Sequence, residues 1–254
     1  MNKRAKLIGL FALILISSVL LSGCAENPQL SAPGVTLSVD PAGGPEQVST
    51  GVQLLVLVTV LTMAPTILLL TTSFTRIVIV LSLLRNAIGS PTIPPNQVLV
   101  GLSLLLTFFI MSPVYTKINE EALQPYINKE IDQETALERA MRPVRTFMFT
   151  QTRPKDIELF LSISGEGRPQ TLEDIPTASL LPAFVISELR TAFIMGFVLY
   201  VPFLIIDMVI SSVLLAMGMM MLPPSLISLP FKLLLFIMID GWYLITRSLT
   251  LSFQ

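Results

Sequence analysis

Apolar residues run almost unbroken through two long regions of the chain, and polar residues collect between them. Val52 to Thr71 is apolar, carries Pro65, and is long enough to cross a bilayer. Pro65 lacks a backbone donor, which predicts a kink at that point. The apolar pattern continues to Leu84 with Arg76 and Arg85 as its only charges, and Ser90 to Asn96, with three prolines, reads as a turn. Val98 to Ser112 predicts a second apolar helix that stops at Pro113. Residues 51–114 therefore predict a hydrophobic helical hairpin. Residues 191–254 predict another. Phe193 to Leu222 is one long helix that contains Asp207 and is stopped by Pro223-Pro224. Phe231 to Leu249 is its return leg, with Lys232, Asp240 and Arg247.

Between the hairpins the character changes. Residues 115–175 hold 8 of the 16 basic and 11 of the 17 acidic residues. Ala136 to Phe149 has an amphipathic helical pattern with Pro143 as a break. Thr152, before Arg153-Pro154, is placed to cap a further helix through Leu161. Ser164 to Pro169 is loop. A small helical insert over 115–190 thus separates the hairpins, and the fold class is an all-α membrane protein. At the other end, Lys3, Arg4 and Lys6 precede an apolar run from Leu7 to Leu21, the shape of a secretory signal. It closes on Leu21-Ser22-Gly23-Cys24, which resembles the lipobox of bacterial lipoproteins and makes Cys24 a candidate lipidation site at the end of a signal segment 1–24. Residues 25–50, with four prolines and no helical period, read as a disordered extracytoplasmic tether.

Composition sharpens this picture. The 254 residues are 52% hydrophobic and 13% charged, with a mean hydropathy of +0.76. That is about half the charge of an ordinary soluble domain. The chain has no His and one Cys, which excludes a His-based triad, a His or thiolate metal site and an internal disulfide. A net charge of -1 argues against nucleic-acid binding. No Walker-type phosphate loop occurs. Nothing calls for a cofactor or for catalysis. A cleaved signal puts residue 25 outside the cytoplasm. Four spans then put the insert outside as well, with Arg85 and Lys232 near cytoplasmic hairpin tips, in keeping with the positive-inside rule.

Two features carry candidate chemistry. Met217-Gly218-Met219-Met220-Met221-Leu222-Pro223-Pro224 places three Met side by side. Helical neighbours point about 100° apart, so Met219, Met220 and Met221 cannot share one helix face. In a loop they can turn toward one axis and form a soft apolar constriction that excludes ions by dewetting. The other reading is ordinary packing against lipid or neighbouring helices. Asp207 and Asp240 are acids inside apolar helices, costly unless paired or functional. A hairpin centred between Pro223 and Pro230 sets Asp207 opposite about position 246, so Arg247 is its expected partner, with Lys232 the alternative. Glu188 and Arg190, where insert meets hairpin, read as interfacial or intersubunit polar contacts.

Several separate stretches resemble the FliP family. They are Pro182 to Leu189 (PAFVISEL), Ala192 to Phe197 (AFIMGF), Pro202 to Asp207 (PFLIID), the Gly218 to Pro224 segment, Leu229 to Leu233 (LPFKL) and Asp240-Gly241-Trp242. Arg145 to Met148 with Gln151-Thr152-Arg153 matches the family's insert. Ile194 departs from the charged or amide side chain usual there. The resemblance covers about 50–254. It implies a core subunit of the flagellar type III protein export gate, at the basal body in the bacterial inner membrane, with the insert periplasmic. It also implies assembly into a pentamer-like ring with FliQ and FliR, alongside FlhA- and FlhB-type components, passing unfolded flagellar proteins. The family's Met loop resembles a gasket over a closed pore, and its assembled helices sit largely above the membrane plane. Two other functions compete. A small proton-coupled secondary transporter using Asp207 and Asp240 predicts inverted repeats and discontinuous helices. A lipoprotein-like membrane scaffold leaves the Met run without a role.

Overall fold

The computed structural model describes residues 30–32, 35–37, 45–90, 92–165, 169, 171–172, 174–219 and 221–253. The chain divides into two units, residues 1–61 and 62–254. In the first, β1 (Leu30–Ala32) and β2 (Val35–Leu37) pair antiparallel with Leu30 opposite Leu37. The first six residues of helix α1 (Pro45–Leu70) fall in the segment read as a tether. Its described side chains are apolar on every side and largely exposed, the pattern of a helix made for lipid or for a partner. Cys24 and the signal segment lie outside the described residues.

The second unit is built around α2 (Phe74–Ile88). Ile77, Val80, Leu81, Leu84, Ala87 and Ile88 recur at helical spacing and are buried. They pack with Leu99 of α3 (Asn96–Ile118) and with Ala192 and Phe203 of α7 (Thr177–Ala216). Phe236 of α8 (Pro224–Met238) and Ile245 and Leu249 of α9 (Gly241–Leu251) complete the cluster. After α3 a π-helical turn, Asn119–Leu123, leads into short α4 (Gln124–Ile127). The insert helices α5 (Gln133–Gln151) and α6 (Pro154–Ser164) form a second core with the start of α7, from Met148, Ile157, Ile175, Leu180, Ala183 and Phe184. Asp132 caps α5, and hydrogen bonds from Thr135 hold its carboxyl below the usual carboxylate range.

Among the described residues two helices are long and apolar enough to cross a membrane, Asn96–Ile127 and Thr177–Ala216, or up to four if each bent pair counts as one span. The fold class is the helical membrane protein expected. Its helix boundaries correct the expectation in several places. Pro65, Pro113 and Pro143 all lie inside helices, and α7 contains Pro182 and Pro202 as well. A proline costs one backbone bond, and neighbouring turns and packed helices absorb that loss in a long segment. The first hairpin's kink falls instead at 71–73, where the chain bends by 68°. The return leg of the second hairpin is broken by 64° at Ile239–Asp240. Helix α7 runs 40 residues without interruption across the expected boundary at 190, which leaves 128–176 between the long helices. Thr152 does not cap α6. Arg153 occupies the cap position with Pro154 at the first turn, while the Thr152 hydroxyl donates to the Met148 carbonyl at 2.6 Å.

Candidate functional site

The Met segment is the tip of the α7–α8 hairpin, and the backbone explains why. Helix α7 stops at Ala216, six residues earlier than expected. Gly218 adopts φ 75°, a left-handed conformation that glycine reaches without a Cβ penalty. Its N–H donates to the Leu215 carbonyl at 3.0 Å, and that of Met219 donates to the Leu214 carbonyl at 3.0 Å. These two bonds are the Schellman closure, which satisfies carbonyls that a helix end otherwise orphans. Pro223 and Pro224 then open α8, with Pro224 in the first turn where its missing donor costs nothing. Met219 and Met221 therefore sit on non-helical backbone between two helices. Met221 is 98% exposed, Met217 65%, and Met219 is half-buried. Met220 lies outside the described residues.

A polar knot ties the hairpin's legs together below this tip. Lys232 Nζ lies 2.6 Å from Asp207 Oδ2 and donates to the Ala87 carbonyl at 3.2 Å. Ser228, one turn before Lys232, donates to Asp207 Oδ1 at 2.6 Å. Lys232 is nearly inaccessible, and Asp207 is about one-third exposed. The expected Asp207–Arg247 pair does not form. The turn spans 217–222 rather than 223–230, which moves the register across from Asp207 to Ser228 and Lys232. The break at 239–240 also carries Arg247 onto a differently directed helix, where it is exposed.

A second knot holds the insert to the membrane helices. Glu188 is fully buried and Arg76 is 2% exposed. They form a two-pronged pair, with Arg76 Nε donating to Glu188 Oε2 at 2.9 Å and Nη2 to Glu188 Oε1. Arg76 also donates to the Ser252 carbonyl at 2.8 Å, to Ser252 Oγ at 3.0 Å and to Gln151 Oε1 at 3.0 Å. Its guanidinium stacks 3.9 Å from the Phe253 ring centroid. All three arms of the guanidinium are thus engaged, the condition for burying such a charge. Next door, Ser187 donates to Asp156, accepts from the Arg153 backbone N–H at 3.1 Å, and shares Asp156 with the Arg153 guanidinium. Arg190 and Asp240 are both exposed and join neither knot.

In the sequence Ser187 and Gln151 stand only as members of family-like stretches, and Ser228 and Ser252 are not singled out. Ser228 had a signal, since a hydroxyl four residues before a lysine shares its helix face. Ser252 had none, and nothing marked Gln151 as a partner of Arg76, because only the tertiary fold brings the insert and the last turn to Arg76. Among the described residues no three His, Cys, Asp or Glu side chains gather closely enough to hold a metal ion.

The model of the FliP family matches residues 57–249. The chain belongs to the FliP family. It is 53% identical over 217 residues to the flagellar biosynthetic protein FliP of Bacillus subtilis strain 168, covering 85% of this chain and 98% of that one. Against the FliP of Pectobacterium carotovorum the identity is 55% over 221 residues, 87% of this chain and 85% of the relative. Against that of Caulobacter vibrioides it is 43% over 240 residues, 94% and 90%. The FliP match takes in the hairpin tip, the Asp207–Lys232 knot, the Arg76–Glu188 pair, Arg190, Asp240 and Arg247, and leaves Ser252, Phe253 and Cys24 outside.

Proposed function

We propose that this chain is a pore-forming subunit of the flagellar type III protein export gate. Copies of it join in a pentamer-like ring with FliQ and FliR and work beside FlhA- and FlhB-type components in the bacterial inner membrane at the basal body. Unfolded flagellar proteins pass through the ring. The charged insert, 128–176 between the long helices, lies on the periplasmic side, and the role is structural rather than catalytic. The relatives' name, flagellar biosynthetic protein, supports the process.

The observation that carries the reading is the Met tip. It presents unbranched, polarizable side chains from a closed backbone turn, with Met221 almost wholly free of its own chain. Around an axis such tips meet as a dry, compliant plug. Compliance matters because one opening must seal against ions and still pass a polypeptide. Replacing Met219, Met220 and Met221 with Ala removes volume without adding charge. The expected outcome is an assembled gate that leaks small solutes while protein export persists at a reduced rate. Membrane permeability at matched levels of assembled complex is the measurement, and a triple variant as tight as the parent would sink the gasket.

A proton-coupled transporter predicts discontinuous helices, and two of the chain's apolar helices are broken. Proton-coupled uptake by the chain alone in vesicles would favour that reading. Its Asp207, however, is already engaged by Lys232 and Ser228.

A further inference from the structure

Internal pairing removes four charges from the apolar helices of the second unit. Arg76 takes Glu188, and Lys232 takes Asp207. From the end of the insert to the last helix, Arg190, Asp240 and Arg247 remain exposed without an ion pair among the described residues. Long arginine side chains can snorkel toward water or lipid phosphate, and Arg247 sits one turn from the end of its helix. An aspartate cannot snorkel. Asp240 also stands where the helix is broken, in a segment that passes with its neighbour as one apolar span. The break at Asp240 marks an interaction surface where its flanks expose contiguous apolar side chains. Its surroundings are apolar and open, since Ile237, Met238, Ile239 and Tyr243 are all exposed. Protein of complementary charge is therefore the cover that the site calls for.

The chain carries such a surface elsewhere. On α7, Ile186, Arg190, Phe193, Ile194 and Phe197 follow helical spacing and are all exposed. This is an apolar stripe with one unpaired cation. We propose that the Arg190 stripe of one copy docks on the broken helix of a second copy, pairing Arg190 with the other copy's Asp240. Each copy uses its Arg190 stripe on one neighbour and its Asp240 break on another, so the proposed contact is head-to-tail. Contacts of that kind propagate into rings or helical stacks of like-oriented subunits. The inference rests on the ring proposed above and names the surfaces that build it.

Cys24→Ser removes the chain's one cysteine. Two differently tagged copies, one with Asp240→Cys and one with Arg190→Cys, are then expressed together with FliQ and FliR. A short bis-maleimide is applied to membranes, because an Asp–Arg pair holds its Cβ atoms further apart than a disulfide permits. The expected product carries both tags. A copy with Phe109→Cys, exposed on α3, should give none with either partner. Charge exchange is the second arm. Asp240→Arg alone should lower the assembled fraction by more than about tenfold, since like charges opposed at an interface repel strongly. Arg190→Asp in the same chain should restore it. Large complexes without the two-tag product, or with Asp240→Cys linked only to Arg247→Cys, would overturn the pairing while leaving the ring intact. Absence of any complex containing two copies would overturn the ring as well.

Discussion

Leu54–Leu70 gives way to Phe74–Ile88 through a bend of 68°, and Pro224–Met238 gives way to Gly241–Leu251 through a bend of 64°. The angles are alike, and the means differ. At the first break Thr71, Thr72 and Ser73 are all buried. The hydroxyls of Thr71 and Thr72 donate back to the carbonyls of Leu68 and Leu69, each at 3.1 Å, and compete with the helical ladder there. The Phe74 N–H in turn donates to Thr72 Oγ1 at 3.4 Å. The Ser73 hydroxyl is the one of the three without a partner. One turn on, Arg76 bolts the new helix to α7, the insert and the end of the chain. This break is closed by the chain that makes it.

At the second break the backbone turns on Asp240, at φ 52° and ψ 55°. Aspartate is among the few side chains that visit this left-handed region readily. Gly241 follows, pressed against the Phe236 ring, and Trp242 packs edge-on against the same ring at 5.4 Å between centroids. The inner side is thus built as firmly as the first break. The outer side is bare, and the Asp240 carboxylate has no capping bond. A break sealed from within stabilises the subunit. A break finished only on its inner side leaves work for a neighbour.

The largest expected effect comes from unbolting the sealed break. Arg76→Ala leaves Glu188 buried without its partner, a loss of about 3–5 kcal/mol for a buried pair. The purified chain in detergent should unfold at much lower temperature or fail to accumulate. Replacing both partners with apolar residues, Arg76→Met with Glu188→Leu, should recover most of that stability, because no charge is then stranded. A single variant as stable as the parent would show that the clamp does not close this end.

A smaller effect is expected at the inner side of the open break. In Gly241→Ala the new Cβ overlaps the Phe236 ring. Overpacking of this kind costs about 1–3 kcal/mol. Trp242, the chain's one tryptophan, should report the displacement as a shift in fluorescence emission. Phe236→Leu in the same chain should relieve it. An unchanged emission and unfolding temperature would mean that the bend is loose rather than built.

The two breaks also mark where the sequence could be read and where it could not. The apolar stretches and the charged region between them are legible in hydropathy, because each depends on whole stretches of like residues, and Gly218 with Pro223-Pro224 marks the Met run as a turn. The breaks do not follow, because the visible breakers are the wrong ones. Pro65, Pro113 and Pro143 are carried inside helices, while Thr71-Thr72-Ser73 and Ile239-Asp240 end them. Threonine, serine and aspartate act by offering the backbone a local alternative that wins only when packing favours the bend. The Asp207 partner was misread for the same reason. Mirror arithmetic assumes straight legs and a known turn, and the Schellman closure at Gly218 moved the turn by several residues.

The smallest expected effect separates the two breaks most cleanly. Asp240→Asn removes the charge but keeps a side chain that tolerates the left-handed backbone. Asp240 is exposed and makes no capping bond or ion pair among the described residues. Removing its charge therefore takes nothing from the lone chain, and exposed substitutions of this sort stay within about 0.5 kcal/mol. Unfolding of the purified subunit in detergent should be indistinguishable from that of the parent. The same variant should still lower the yield of assembled complex, because there the carboxylate meets a cation it now lacks the charge to hold. A lone subunit destabilised by Asp240→Asn would mean that the second break, like the first, is held from within. The contrast between them would then disappear, and with it the reason to look for a neighbour at this surface.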